Sequence, residues 1–310
     1  MKDPSYVATF RSGELEARVK GLIESLASCD LCPRRCRVNR LEDERGFCRT
    51  GRQAVFSSFG PHFGEEDPLV GRGGSGTIFF THCNLLCNFC QNYDISHEGA
   101  GQEIEPEGLA RVMLNLQDQG CHNINFVSPS HVVVQILEAL PTAIEGGLRI
   151  PLVYNTGGYD LPETIRRLEG VVDIYMPDVK FSDGAVAEEL AEAPDYPLIC
   201  RAALSEMHRQ VGDLCLNEAG VAWKGLLIRH LVMPDHLAGT EETFTWIAGH
   251  LSTNTYMNVM DQYRPCGTVQ GHPSLSRRIT GGEYEEALQI AGRCGLHRLD
   301  QRRALQIFRR

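Results

Sequence analysis

Short apolar runs alternate with amphipathic stretches along most of this chain. The first run, Thr77–Phe80 (TIFF), has the length and composition of a buried strand. Pro106–Gln119 follows, with Leu109, Val112, Met113 and Leu116 on one helical face and Gly120 at its end. Asn123–Val127 reads as a second strand, and Val132–Glu145 as a helix closed by Gly146-Gly147. Pro151–Tyr154 is a third strand, with Pro162–Leu168 as its helix. Val171–Met176 is a fourth, followed by helical material between Ala185 and Val211. Leu226–Val232 is a fifth, with helix Glu241–Leu251. Tyr256–Met260 is a sixth, and Tyr284–Gly295 another helix. Strand-then-helix units in such a row predict a parallel sheet with right-handed crossovers and helices over its outer face. The expected fold is α/β, a partial (β/α)6 barrel.

In barrels of this kind the chemistry gathers at the carboxyl ends of the strands. Polar or ligand-type residues follow each predicted strand: Cys83, then Ser128, Ser130 and His131, then Asn155 and Thr156. Asp178 and Lys180 follow the fourth, Asp235 and His236 the fifth, Gln262 and Tyr263 the sixth.

The start of the chain has a different pattern. Residues 1–28 read as a short amphipathic helix, with Leu15, Val19, Leu22, Ile23 and Leu26 on one side. Residues 29–75 are rich in Arg, Gly and Cys and show little periodicity, so they are expected to fold around their cysteines. The chain divides accordingly into 1–75, a helix with a four-cysteine metal-binding segment, and 76–310, the barrel with a helical tail.

Composition and charge exclude some classes. The 310 residues are 42% apolar, enough for a sizeable core, and the formal net charge is −10. An acidic chain is a poor general nucleic-acid binder, because phosphate contacts need a basic face. No signal peptide opens the sequence and no run of about 20 apolar residues occurs, so a cytoplasmic protein without membrane contact is expected. In that reducing compartment clustered cysteines bind metal more often than they form disulfides. Of the 12 cysteines, Cys121, Cys200, Cys215, Cys266 and Cys294 are scattered and read as small buried hydrophobes. The rest form two tight groups.

The second group, Cys83-x3-Cys87-x2-Cys90, lies in a loop between a strand and a later helix. Four thiolates close a cubane iron–sulfur cluster. Three leave one iron open to bind a substrate or cofactor, such as the amino and carboxylate groups of S-adenosylmethionine. The alternative is a zinc site with His82 as fourth ligand.

The spacing Cys-x3-Cys-x-aromatic-Cys at the end of a first barrel strand resembles the radical S-adenosylmethionine (SAM) superfamily. The chain is similar, more closely, to the PflX-type branch of pyruvate formate-lyase-activating enzyme homologues. The stretches that carry this are CDLCPRRCRVNR, GGSGTIFFTHCNLLCNFCQN, NINFVSPSH, VYNTGGYD, DIYMPDVKF, IRHLVMPD and MDQY. The resemblance implies a [4Fe–4S] cluster on Cys83, Cys87 and Cys90 and reductive cleavage of SAM for hydrogen-atom abstraction. It implies Phe89 near the adenine, and Asn155, Thr156, Asp178 and Arg229 around the cofactor, with Lys180 and His230 as catalytic candidates. Activases of this type carry a Gly-Gly-Glu type motif after strand two. Here Ser128-Pro129-Ser130-His131 stands in its place, and its hydroxyls and imidazole are the candidates for the methionine amino group. Abstraction from a backbone glycine of a partner enzyme is the nearest named activity, and another protein, a peptide or an unknown small molecule is equally compatible as substrate. Reduced flavodoxin or ferredoxin is the expected electron donor.

The first group, Cys29-x2-Cys32-x3-Cys36-x11-Cys48, offers four thiolates that would close a structural or electron-transfer site. Zinc and a second [4Fe–4S] cluster are both open. Arg34, Arg35, Arg37 and Arg49 are expected to lower the thiolate pKa values. Between the groups, His62, Glu65 and Glu66 read as a solvated acidic loop, with reach to the rim of the barrel as the alternative. The glycines from Gly71 to Gly76 lack the Lys-Ser/Thr and following helix of a phosphate loop. The stretch from Arg293 to Arg310 reads as a solvated helix face, with docking of an acidic electron donor as the alternative. An iron–sulfur or metal-binding adaptor without radical chemistry is the competing function, but an electron carrier wants a fourth cysteine beside Cys83–Cys90.

Overall fold

The parallel strands fall close to where the periodicity places them, in a computed structural model that describes residues 3–300. The strands are β1 (Ala54–His62), β2 (Ser75–Phe80), β3 (Gln102–Ile104), β4 (Ile124–Val127), β5 (Leu152–Thr156), β6 (Ile174–Pro177), β7 (Cys215–Leu216), β8 (Ala222–Leu231), β9 (Tyr256–Met260) and β10 (Arg298–Leu299). They form one sheet in the order β10-β9-β8-β6-β5-β4-β2-β1-β3, with β7 paired to β8. The run β2, β4, β5, β6, β8, β9 is parallel throughout. Helices Pro106–Asp118, Val133–Glu145, Pro162–Arg166, Gly184–Ala191, Tyr196–Val211 and Thr240–His250 make the crossovers. This is the expected partial (β/α)6 barrel.

Strand alternation sorts the side chains into two layers. Phe126, Tyr154, Tyr175 and Ile228 face the helices and join the main apolar core. Val153, Ile174, Met176 and Leu227 form a separate apolar cluster with Leu69. Two residues further toward the carboxyl ends, the residues in phase with that cluster are Asn155, Asp178 and Arg229. The lumen therefore changes from apolar to charged toward the rim that carries the cysteine loop.

The segment before residue 76 is more regular than expected. Residues 54–62 form β1, which runs antiparallel to β2 and β3 at the edge of the sheet. Only Ala54 and Phe56 are buried along it, and Gly60-Pro61 interrupts the alternation that would have marked it as a strand. The N-terminal helix is two helices, Ser5–Arg11 and Glu14–Ser25, separated at Gly13, whose φ of 77° lies in the left-handed region that favours glycine. Tyr6, Val7, Leu15, Leu22 and Leu26 join the same apolar core as the barrel. Polar ties hold this pair in place. The Asp173 carboxylate accepts from Ser5 N (2.8 Å) and Leu152 N (3.1 Å), and Tyr6 donates to Ile150 O (2.9 Å).

Of the arginine-rich end, Arg293 closes helix Gly281–Arg293, and Arg298 donates to Leu214 O (2.9 Å) and Asn254 O (3.2 Å). Residues 301–310 of that stretch lie outside the described residues. Among the described residues no helix is long and apolar enough to cross a membrane.

Candidate active site

The cysteine loop leaves β2 at Thr81 and is shaped by left-handed turns at His82 (φ 66°) and Leu86 (φ 51°). Non-glycine residues hold such backbone only where surrounding contacts impose it. Here Asn84 Nδ2 donates to Tyr159 O (2.7 Å), Asn88 N to Leu190 O (2.9 Å), and Thr268 N to Asn88 O (2.9 Å). Held this way, Cys83, Cys87 and Cys90 all line one cavity of about 690 Å³ at the carboxyl ends of the strands. Leu85 N donates to Cys83 Sγ (3.4 Å) and Ser96 Oγ to Cys90 Sγ (3.2 Å). Burial pushes the Cys83 and Cys87 thiols up, so ionising them requires a compensating positive charge such as a metal.

Opposite the thiols the cavity carries a charged network. Arg229 Nε donates to Asp178 Oδ1 (2.6 Å) and Arg229 Nη2 to Asn155 Oδ1 (2.7 Å). Lys180 Nζ donates to Asp178 Oδ2 (2.6 Å). Register explains the meeting: Asp178 bridges to Arg229 across the gap between β6 and β8. Burial alone would raise the Asp178 carboxyl, but Arg229 and Lys180 outweigh it and hold the group below its usual range. Burial would likewise lower Lys180, yet Asp178 keeps it raised.

Glu65 and Glu66 belong to this network, which corrects their reading as a solvated acidic loop. The turn after β1 brings both into the cavity. Glu65 Oε2 lies 3.6 Å from Arg229 Nη1, and Glu65 Oε1 lies 3.5 Å from His62 Nδ1. Glu66 is 1% exposed. Its Oε1 accepts from Asn258 Nδ2 (2.7 Å), while its Oε2 has no partner. Burial pushes the Glu66 carboxyl up. Arg264 and Arg278 also line the cavity and were not singled out. Nothing in their immediate sequence marks them, since they lie in irregular chain after the last barrel strand.

Other expected site residues divide between the cavity and its surroundings. Ser128, Asn155, Thr156 and Phe89 line it. Phe89 packs edge-on against Phe181, with ring centroids 5.9 Å apart. Ser130 does not line the cavity; its hydroxyl lies 3.1 Å from Thr156 Oγ1, and Thr156 in turn donates to buried Asp160 (2.5 Å). His131 turns away as well. Its Nε2 donates to Thr81 O (2.8 Å), and burial pushes its pKa down to about 3. Neither Ser130 nor His131 is placed to receive an amino group in this cavity. Asp235 accepts from Arg277 (2.5 Å), and His236 is 4.0 Å from Glu286, both outside the cavity.

His230 is corrected from catalytic candidate to core residue. It alternates with Arg229 on β8, so when Arg229 faces the cavity His230 faces the helices. It is fully buried against Phe244. Its Nδ1 donates to Val179 O (2.9 Å) and its Nε2 accepts from Thr240 Oγ1 (3.0 Å). Burial pushes its pKa down to about 4. His230→Ala should lose about 1–3 kcal/mol, the penalty for orphaning buried polar partners, while leaving turnover per folded molecule unchanged. Thermal unfolding beside an activity assay checks both; a folded variant without turnover would restore His230 to the mechanism.

The four N-terminal cysteines also converge, on a second and smaller cavity with Arg40 and His131. Burial pushes Cys32 up to about 12 and raises Cys48 against the pull of Arg40. Arg40 and Arg35 line this cavity with the thiols, while Arg34, Arg37 and Arg49 do not. Arg34 stacks on Phe47 at 3.7 Å, and Arg49 donates to His97 O (3.0 Å). Of the scattered cysteines, Cys121 and Cys200 are buried as expected. Cys215 is exposed, on the short β7 ribbon, and Cys266 and Cys294 are half-buried.

Among the described residues no three Cys, His, Asp or Glu side chains close on a point that one metal ion could occupy. His82 lines the same cavity as the triplet, with its Nδ1 unpartnered. A cubane sets different requirements: its thiolates bind different irons and stand farther apart than ligands of one ion. Three thiols lining one cavity, Cys87 buried and Cys83 and Cys90 half-buried, fit a cluster with one open iron.

A parallel partial barrel with three cysteines at the rim is the architecture of a radical SAM enzyme, and this chain belongs to that superfamily: the Radical SAM superfamily model matches residues 77–196. Membership implies a [4Fe–4S] cluster and SAM. The chain is 35% identical over 292 residues to Uncharacterized protein MJ0674 of Methanocaldococcus jannaschii, covering 91% of this chain and 79% of that protein.

Proposed function

We propose that Cys83, Cys87 and Cys90 hold the [4Fe–4S] cluster and that SAM binds its open iron inside the 690 Å³ cavity. The observation that carries this is the meeting of three cysteine thiols with a charged floor at the strand ends. The cluster held by these cysteines, once reduced by an external donor, would supply the one electron that breaks the SAM sulfonium C–S bond to give methionine and a 5′-deoxyadenosyl radical. The protein's part is to bind, orient and exclude water.

The floor suits a zwitterion. Asp178 and Asn155 hold the Arg229 guanidinium rigid, so it and Lys180 present fixed positive charge to a carboxylate or ribose oxygen. Glu66 Oε2, buried and unpartnered, is the candidate acceptor for the methionine ammonium in place of the Ser128–His131 stretch. A cation there would offset the burial that raises its carboxyl. Phe89 and Leu85 line the same cavity and supply apolar surface for the adenine.

For the substrate, hydrogen abstraction from a backbone glycine of a partner enzyme is the favoured reading, supported by the PflX-type motifs. Reduced flavodoxin or ferredoxin in a cytoplasmic setting would supply the electron. The test is to reconstitute the protein anaerobically, reduce it with dithionite and add SAM. 5′-Deoxyadenosine and methionine should form together. Iron bound at the triplet without any cleavage would return the chain to the electron-transfer alternative.

A further inference from the structure

Arg40 sits in a setting that its sequence neighbours do not explain. It is 1% exposed. Its Nε donates to Gly51 O (2.9 Å), and its Nη1 donates to His131 O (2.8 Å) and lies 3.9 Å from Cys29 Sγ. Its Nη2 is buried without a partner. Its contacts are carbonyls and one sulfur, with no carboxylate among them. A guanidinium keeps its proton, and a buried charge left uncompensated is strongly destabilising. Sharing the small cavity with it are the four thiols, a second cation, Arg35, and His131. As neutral thiols they offer nothing to balance it; as metal-bound thiolates they do.

We infer that Cys29, Cys32, Cys36 and Cys48 hold a second [4Fe–4S] cluster, closed by four thiolates, for which Arg40 is the buried counter-ion. Spacing favours a cluster over zinc. Three cysteines share one short run and the fourth is remote, a three-plus-one arrangement known from ferredoxin clusters. Zinc ribbons instead use two close pairs. The four thiols line one small cavity. Phe47 N donates to Cys36 Sγ (3.3 Å), a bond that strengthens when the sulfur is ionised. The loop closes tightly there: a Cβ on Gly46 would lie 2.6 Å from Cys36 Cβ.

With every iron capped by protein, this cluster has no position for SAM. Its place is beside the catalytic loop. Arg34, from the same cysteine run, donates to Asn84 O (2.9 Å), Leu85 O (3.3 Å) and Ala191 O (2.8 Å). His131, which lines the small cavity, donates to Thr81 O at the root of the triplet loop. Ordering the N-terminal cysteines therefore orders the loop that carries Cys83, Cys87 and Cys90.

The triplet plays no part in this inference, so a chain without it is the test. Full-length protein carrying Cys83→Ala, Cys87→Ala and Cys90→Ala is reconstituted anaerobically with iron and sulfide. It should hold about four irons, as one cubane, with a paramagnetic signal on reduction that added SAM leaves unchanged. Adding Cys29→Ala and Cys36→Ala should remove that iron. Stoichiometric zinc in place of iron, or a folded triple variant with no iron, overturns the inference. If the triple variant does not fold, the wild-type chain decides: about eight irons supports two cubanes, and about four overturns the second.

Discussion

Cys87→Ala leaves a protein that forms no 5′-deoxyadenosine. Cys87 is 7% exposed and lies between the other two thiols in the loop. Without it only Cys83 and Cys90 remain on that cavity wall, and no other cysteine lines the cavity to replace it. His82 is a poor substitute, because its ring is packed where a Cβ on Gly99 would sit 2.4 Å away. A cubane held by two thiolates is labile, so the loss is of the whole cofactor chemistry rather than a fraction of a rate. The substitution itself removes one small buried group, worth about 1 kcal/mol, so the fold should survive. Iron content, circular dichroism and product chromatography on wild type and variant separate these effects. A folded Cys87→Ala protein with wild-type cleavage would dismiss the triplet as the cluster site.

Asp178→Asn should bring the largest loss of stability from a single charge. Asp178, Lys180 and Arg229 side chains are 15%, 16% and 16% exposed, and Asp178 is the shared acceptor of both cations. Glu65 still lies 3.6 Å from Arg229 in the variant, so Lys180 bears most of the loss. Removing one partner of a buried pair costs about 3–5 kcal/mol, and the remaining Glu65 argues for the lower end. For a chain of this size about 3 kcal/mol corresponds to a Tm fall of about 5 °C.

The pH dependence follows from the direction of the shift. The folded carboxyl lies below its ordinary 3.8, so its contribution is complete above that value. It is lost as pH falls through the depressed folded pKa, and the gap between wild type and variant should close there. Melting curves from neutral pH downward, on protein without cofactor, measure this apart from catalysis. A Tm difference that stays constant into strong acid would show that Asp178 acts through packing instead.

Much of the scaffold was legible. Periodicity alone marked β2, β4, β5, β6, β8 and β9 and the helices between them, because a buried parallel strand and an amphipathic helix each leave a local signature. The triplet was legible for a related reason: Cys83, Cys87 and Cys90 are close along the chain, so their spacing already constrains their geometry. Strand β1 was missed because only Ala54 and Phe56 are buried on it. Glu65 and Glu66 were misjudged because an acidic run looks solvated until something covers it. His230 was chosen beside Arg229, though strand alternation lets only one of two neighbours face the cavity.

What the order of residues determined by itself was local: which stretches are strand or helix, and which thiols travel together on one loop. The tertiary structure decided the rest, since it brings Glu66 to Asn258 across 192 positions and Arg229 to Asn155 across 74. Those meetings depend on strand register and on the curvature of a whole sheet. No short-range pattern encodes either, because each is settled only when distant strands pair and share one core.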